Sequence, residues 1–156
     1  MGNIKDDLKR FDFVRVGQIT VSSDGRVKFE LGAFESSASK GWVYVWLVDD
    51  GDQSCWVAYV GKAGKTLQKR CDQHERGFNE VTSPGVGAKK TAPYIREVLE
   101  NPRHRIFVYA RLSPKIAVLG EDGVSMCEVE EMALIKKWNP CLNKTHNTKK
   151  SRNVPA

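Results

Sequence analysis

Trp42-Val43-Tyr44-Val45-Trp46-Leu47-Val48 runs through Asp49-Asp50-Gly51-Asp52 to Trp56-Val57-Ala58-Tyr59-Val60, and this stretch decides the fold. Both flanks are β-branched and aromatic, and the acidic, glycine-containing link between them is turn chemistry, so the stretch is expected to form a β-hairpin. The acidic link lacks the spacing and the closing glutamate of a calcium loop. Upstream, Val16 to Val21 and Arg26 to Leu31 flank Ser22-Ser23-Asp24-Gly25, and Asp-Gly between alternating runs predicts a second hairpin. Downstream, Gly61 to Gly64 breaks the strand and Thr66 caps a helix expected to reach about Arg76. The polar stretch 77–87 reads as a loop. A second helix opens at Thr91 with Pro93 in its first turn and ends near Asn101-Pro102. A strand covers Arg105 to Arg111, and a third helix runs from about Ser125 to Trp138, stopping at Asn139-Pro140. This order predicts an α+β fold with a small, mainly antiparallel sheet.

The chain has 156 residues, 40% of them hydrophobic and 28% charged, which suits one domain and excludes a wholly disordered chain. Its longest apolar run, Trp42 to Val48, falls far short of the roughly 20 residues needed to cross a bilayer. The opening MGNIKDDLKR has no apolar leader segment. A cytoplasmic protein with no membrane partner is therefore expected. The net charge of +6 is unevenly spread: residues 1–50 hold seven basic and eight acidic side chains, residues 51–156 eighteen and eleven. A surplus confined to one part of a small chain suits a polyanion such as nucleic acid. Cys55, Cys71, Cys127 and Cys141 match no zinc-ribbon spacing and read as free thiols of a reducing compartment. Gly64-Lys65-Thr66 resembles the end of a P-loop, but Tyr59 stands where that motif needs its first glycine.

Two helix faces carry candidate chemistry. On the third helix, Leu134, Cys127, Trp138 and Ile135 fill one arc and Glu131 falls inside it, with Glu128 at one edge and Glu130 on a flank beside Lys137. A carboxylate in an apolar stripe is expected to be satisfied, by a salt bridge or by a metal ion. On the first helix, Leu67, Arg70, Cys71 and His74 share a face, so Arg70 and His74 can reach one site.

Taken together, Trp42-Val43-Tyr44, Tyr59-Val60-Gly61-Lys62, Leu67, Arg70, His74, Glu131 and Asn143 resemble the GIY-YIG nuclease pattern, over about residues 42–143. The stretches around Lys89-Lys90 and Tyr109-Ala110-Arg111 look most like its phage and restriction-type members. Gly41 stands one position earlier than usual, and the hairpin between Tyr44 and Tyr59 is longer than in the compact members. The resemblance implies a three-stranded antiparallel central sheet flanked by helices. It divides the chain into an N-terminal β-hairpin extension (1–40), a nuclease core (41–143) and a basic, mobile tail (144–156). It also implies hydrolysis of DNA, double-stranded rather than single-stranded, with one Mg²⁺ or Mn²⁺ held by Glu131. Tyr44 is expected to act as the base that activates water, favoured electrostatically by Lys62 and Arg70, with Tyr59 lining the site; the two tyrosines could exchange roles. Arg70 would clamp the phosphate, His74 would bond it or assist proton transfer, and Asn143 would brace the metal end. Lys62, Arg70, Lys89, Lys90, Arg111, Lys136 and Lys137 are the expected contacts to nucleic acid. A silent binding module on the same fold and an RNA-cleaving relative remain alternatives, and a homo-oligomer is left open.

Overall fold

The computed structural model describes residues 2–80 and 87–143. A short helix α1 (Ile4–Arg10) precedes the hairpin β1 (Val14–Val21) and β2 (Val27–Leu31). Next come β3 (Trp42–Asp49), β4 (Cys55–Ala63) and helix α2 (Leu67–Asn79). A π-helical turn (Gly87–Thr91) leads into α3 (Ala92–Glu100) and then β5 (Arg105–Leu112). A further hairpin, β6 (Lys115–Val118) with β7 (Glu121–Ser125), and helix α4 (Cys127–Trp138) complete the described chain. Of the stretch 77–87 expected as a loop, Gly77 to Asn79 belong to α2 and Gly87 to the π-helical turn; residues 81–86, and the expected tail 144–156, lie outside the described residues.

The predicted stop and start signals act as expected. Gly25 takes a left-handed φ of +81° in the β1–β2 turn, where a Cβ would be strained. The Thr66 hydroxyl accepts from the Lys69 N–H at 3.3 Å at the start of α2. Asn139 ends α4 in the left-handed conformation, its N–H bonded to the Ile135 carbonyl at 2.8 Å, and Pro140 follows.

One expectation is corrected. The sheet has five antiparallel strands in the order β2-β1-β5-β3-β4, not three. The N-terminal hairpin is built into it, because β1 pairs with β5 from Val14 opposite Ala110 to Ile19 opposite Ile106. Strand β3 sits inside the sheet, and its side chains are buried on both faces, which explains an apolar run where a one-sided strand would alternate.

Two cores result. On one face Trp42, Tyr44, Trp46 and Val48 pack with Leu67 and Cys71 of α2 and with Ile95 of α3. On the other, Val43, Val45 and Leu47 pack with Leu8 of α1 and with Leu134 and Ile135 of α4. The helices α2 and α4, which carry the candidate chemistry, therefore lie on opposite faces of one sheet. Among the described residues, no helix is long and apolar enough to cross a membrane.

Candidate active site

The pairing of β3 with β4 sets Tyr44 opposite Gly61 and Trp46 opposite Tyr59, so both tyrosines project towards α2. Gly61 is required by this arrangement. A Cβ there would overlap the Tyr44 ring and hydroxyl and crowd Tyr59. The tyrosine rings lie 6.0 Å apart between centroids, and Tyr59 packs at 4.4 Å on Trp46.

From α2, two residues one turn apart converge on the Tyr44 hydroxyl. His74 Nε2 lies 2.6 Å from it and the Arg70 Nε–H donates to it at 3.3 Å. Since Arg70 can only donate, the phenolic proton is directed at His74 Nε2, which assigns the imidazole proton to Nδ1. Arg70 also donates to Gln73 Oε1 at 3.2 Å. Tyr44 is wholly buried. Burial, reinforced by Tyr59, holds its hydroxyl well above the ordinary value of 10, and the opposing pull of Arg70 is the smaller effect. This departs from the expectation of a readily formed tyrosinate. Burial, followed by repulsion from Arg70, drives His74 down to about 3, so its ring is neutral near pH 7.

Lys62 is opposite Val43 and so belongs to the other face. Its ammonium pairs with Glu128 at 3.0 Å and lies 4.0 Å from Glu131. Glu128 raises the Lys62 pKa through that hydrogen bond. The Glu131 side chain is only 15% exposed. Glu128 and Glu131 are one turn apart on α4, so both present hard oxygens to the same ammonium. Among the described residues, no group of three or more His, Cys, Asp or Glu is gathered for a metal ion. That donor set suits a hard cation that keeps most of its water better than it suits a zinc cage.

Asn143 is buried against β4. Its Oδ1 accepts from the Val60 N–H at 2.8 Å and its Nδ2 donates to the Val60 carbonyl at 2.7 Å. The side chain thus fastens the segment after α4 to the outer edge of β4, between Tyr59 and Gly61.

The remaining cations divide. Lys89 and Lys90 are exposed on the π-helical turn beside α2, and Lys136 is exposed on α4. Arg111 is held by Glu130 at 3.0 Å and by the Phe11 carbonyl at 3.0 Å, on the α1–α4 face. Lys137 pairs there with Asp7 at 3.4 Å. Sequence reading missed Glu128 as the partner of Lys62, and missed the apolar ring around His74. Gly61 was the available signal for close approach at Tyr44, because glycine inside a strand marks it.

No family model and no curated protein matches the sequence. A solved point mutant of bacteriophage T4 EndoII superposes with a TM-score of 0.68, over 91% of this chain and 99% of that one, at 20% identity. The fold is similar to that of bacteriophage T4 EndoII. The resemblance to the GIY-YIG family read from the sequence is thus matched at the level of fold, and EndoII shares nearly its whole length with this chain. A restriction endonuclease, HPY188I, solved in complex with product DNA, matches with a TM-score of 0.47 at 18% identity, over 99% of this chain and 87% of its own.

Proposed function

We propose that this protein is a metal-dependent GIY-YIG-type endonuclease that hydrolyses phosphodiester bonds of double-stranded DNA. The observation that carries this reading is the Tyr44 hydroxyl, shared between Arg70 and a neutral His74 beside a second tyrosine. A structural tyrosine needs one partner; here the partners are a fixed cation and an open proton acceptor. The fold likeness to EndoII and the basic surplus after residue 50 support the same reading.

Each residue has a physical task. Arg70 keeps further N–H donors beyond its bonds to Tyr44 and Gln73, suited to non-bridging oxygens of the scissile phosphate. Because its pKa is raised, Tyr44 is not a standing tyrosinate. It takes a proton from the attacking water only as it passes its own to His74 Nε2. The water oxygen bonds to phosphorus, the bond to the leaving oxygen breaks, and that oxygen takes up a proton from solvent. Glu131 stands on the α4 face, across the sheet from Tyr44 and Arg70, so it would hold one Mg²⁺ or Mn²⁺ for the same phosphate only around the β4 edge. When bound, the ion would supply charge stabilisation at the phosphate and leaving oxygen. Exposure favours a second assignment within this reading, with the partly buried Tyr59 meeting the water and the wholly buried Tyr44 relaying the proton.

The test is nicking of supercoiled DNA with Mg²⁺ and with chelator. Tyr44→Phe, Arg70→Ala and Glu131→Ala should each lose about 100-fold or more in rate, the scale of one preorganised charge-stabilising group. Cutting that persists in chelator removes the metal from the reaction. Activity in Tyr44→Phe with none in Tyr59→Phe makes Tyr59 the base.

A further inference from the structure

The ring of His74 is enclosed by residues from three parts of the chain. Phe29 of β2 stacks with it at 5.9 Å and 17°, Phe78 of α2 at 5.4 Å and 25°, and Trp46 of β3 stands edge-on at 5.1 Å. Phe29 comes from the N-terminal hairpin, far in sequence from the tyrosines and glutamate of the candidate site. Two further contacts fix that hairpin to α2. The Phe29 N–H donates to Glu75 Oε2 at 3.0 Å, and the Asn79 carboxamide brackets Val27, accepting its N–H at 2.9 Å and donating to its carbonyl at 2.8 Å. Glu75 and Asn79 are one turn apart on α2, so they cap the outer edge of β2 along the helix that carries Arg70 and His74.

Resting on the endonuclease reading above, we propose that Phe29 and Glu75 are positioning residues for the reaction. The β2 edge, docked on α2 through them, holds the His74 imidazole dry and aimed at the Tyr44 hydroxyl. The hairpin is then part of the catalytic apparatus and not a bystander to it. The titratable and charged groups facing the ring are Arg70 from its own helix, Tyr44 from β3 and Tyr59 from β4, while β2 contributes the apolar Phe29. With the phenyl ring gone, water reaches the imidazole, and protonation there removes the acceptor for the Tyr44 proton.

Two independent readouts test this on the full chain. The first is the NMR titration of the His74 ring, assigned by its loss in His74→Gln. In the parent the ring should stay unprotonated down to pH 5. In Phe29→Ala its midpoint should climb to between about 5 and the free value of 6.5. The second is the pH profile of DNA nicking. For Phe29→Ala, kcat at pH 5 relative to pH 8 should fall about 2-fold or more, with KM unchanged. Glu75→Ala should move in the same direction, and Glu75→Gln, which keeps an oxygen acceptor for the Phe29 N–H, should behave as the parent. Phe29→Leu, which keeps the site filled, gives an intermediate titration and stands in if the alanine variant does not fold. An unshifted His74 titration in folded Phe29 and Glu75 variants overturns the proposal. A shifted titration in a protein that cuts no DNA upholds the docking and sinks the endonuclease reading instead.

Discussion

His74 carries a pH signature that belongs to the folded state alone. Its pKa lies near 3 in the fold against about 6.5 in the unfolded chain, so between those values the unfolded state binds the extra proton. Stability must then rise with pH across that window and fall as the solution is acidified below 6.5. From pH 7 to pH 5 this one side chain should remove about 2 kcal/mol. Urea unfolding at the two values should show the drop, and His74→Gln should flatten it; an equal drop in both proteins would assign the effect elsewhere. Gly61 offers a second residue-level test. Its missing Cβ is space already taken by Tyr44, whose ring is wholly buried and has nowhere to retreat. Gly61→Ala should cost roughly 1–3 kcal/mol by overpacking and should lower nicking as well, since the displaced group is the Tyr44 hydroxyl. A variant as stable and active as the parent would mean the β3–β4 register differs from that described.

Both edge strands of the sheet are closed by the same device, an asparagine carboxamide that accepts an N–H and donates to the C=O of one strand residue. Asn79 does this for Val27 on β2 and Asn143 for Val60 on β4. The second case separates two tasks for Asn143. If it braces the strand between Tyr59 and Gly61, Asn143→Ala leaves two buried backbone groups unpaired and should cost about 2–4 kcal/mol in chemical unfolding. If it acted only at the metal end, the variant would lose activity at unchanged stability. At this scale the sequence was informative wherever a local rule applied. The Asp24-Gly25 turn, the Thr66 cap and the stop at Asn139-Pro140 could be read from neighbouring residues. Helix α1 could not, because Leu8 is its single buried residue and seven residues show no period. The β6–β7 hairpin lacks the alternation that marks a half-buried strand, being exposed almost throughout. The five-strand sheet was hidden for another reason. β1 and β5 are joined across the length of the chain, and no local pattern encodes which strands will pair. The candidate site behaved the same way: Arg70 and His74 on one helix face were legible, but the Phe29 contact that encloses His74 was not.

Over the whole molecule, composition could count charges but not say which were already spent. Eighteen basic residues follow position 50, and by sequence alone Lys89, Lys90, Arg111 and Lys137 were equal candidates to meet a phosphate backbone. The fold makes them unequal. Arg111 is held between Glu130 and the Phe11 carbonyl, and Lys137 by Asp7, so recruiting either to DNA means breaking an existing pair on the α1–α4 face. Lys89 and Lys90 stand exposed on the turn that packs beside α2, on the side of the sheet where Arg70 and Tyr44 meet. Each lysine that replaces a counterion on duplex DNA contributes about 0.9 to the slope of log affinity against log salt concentration. Replacing Lys89 and Lys90 by alanine together should therefore reduce that slope by about 2, measured on a short duplex between 50 and 200 mM salt in the presence of chelator. Arg111→Ala should leave the slope where it was and instead lower stability, because the Glu130 carboxylate loses its partner in a partly buried setting. The reverse outcome, a slope that falls with Arg111 and ignores the two lysines, would place the DNA track on the α4 face and move the candidate phosphate path to the opposite side of the sheet from His74.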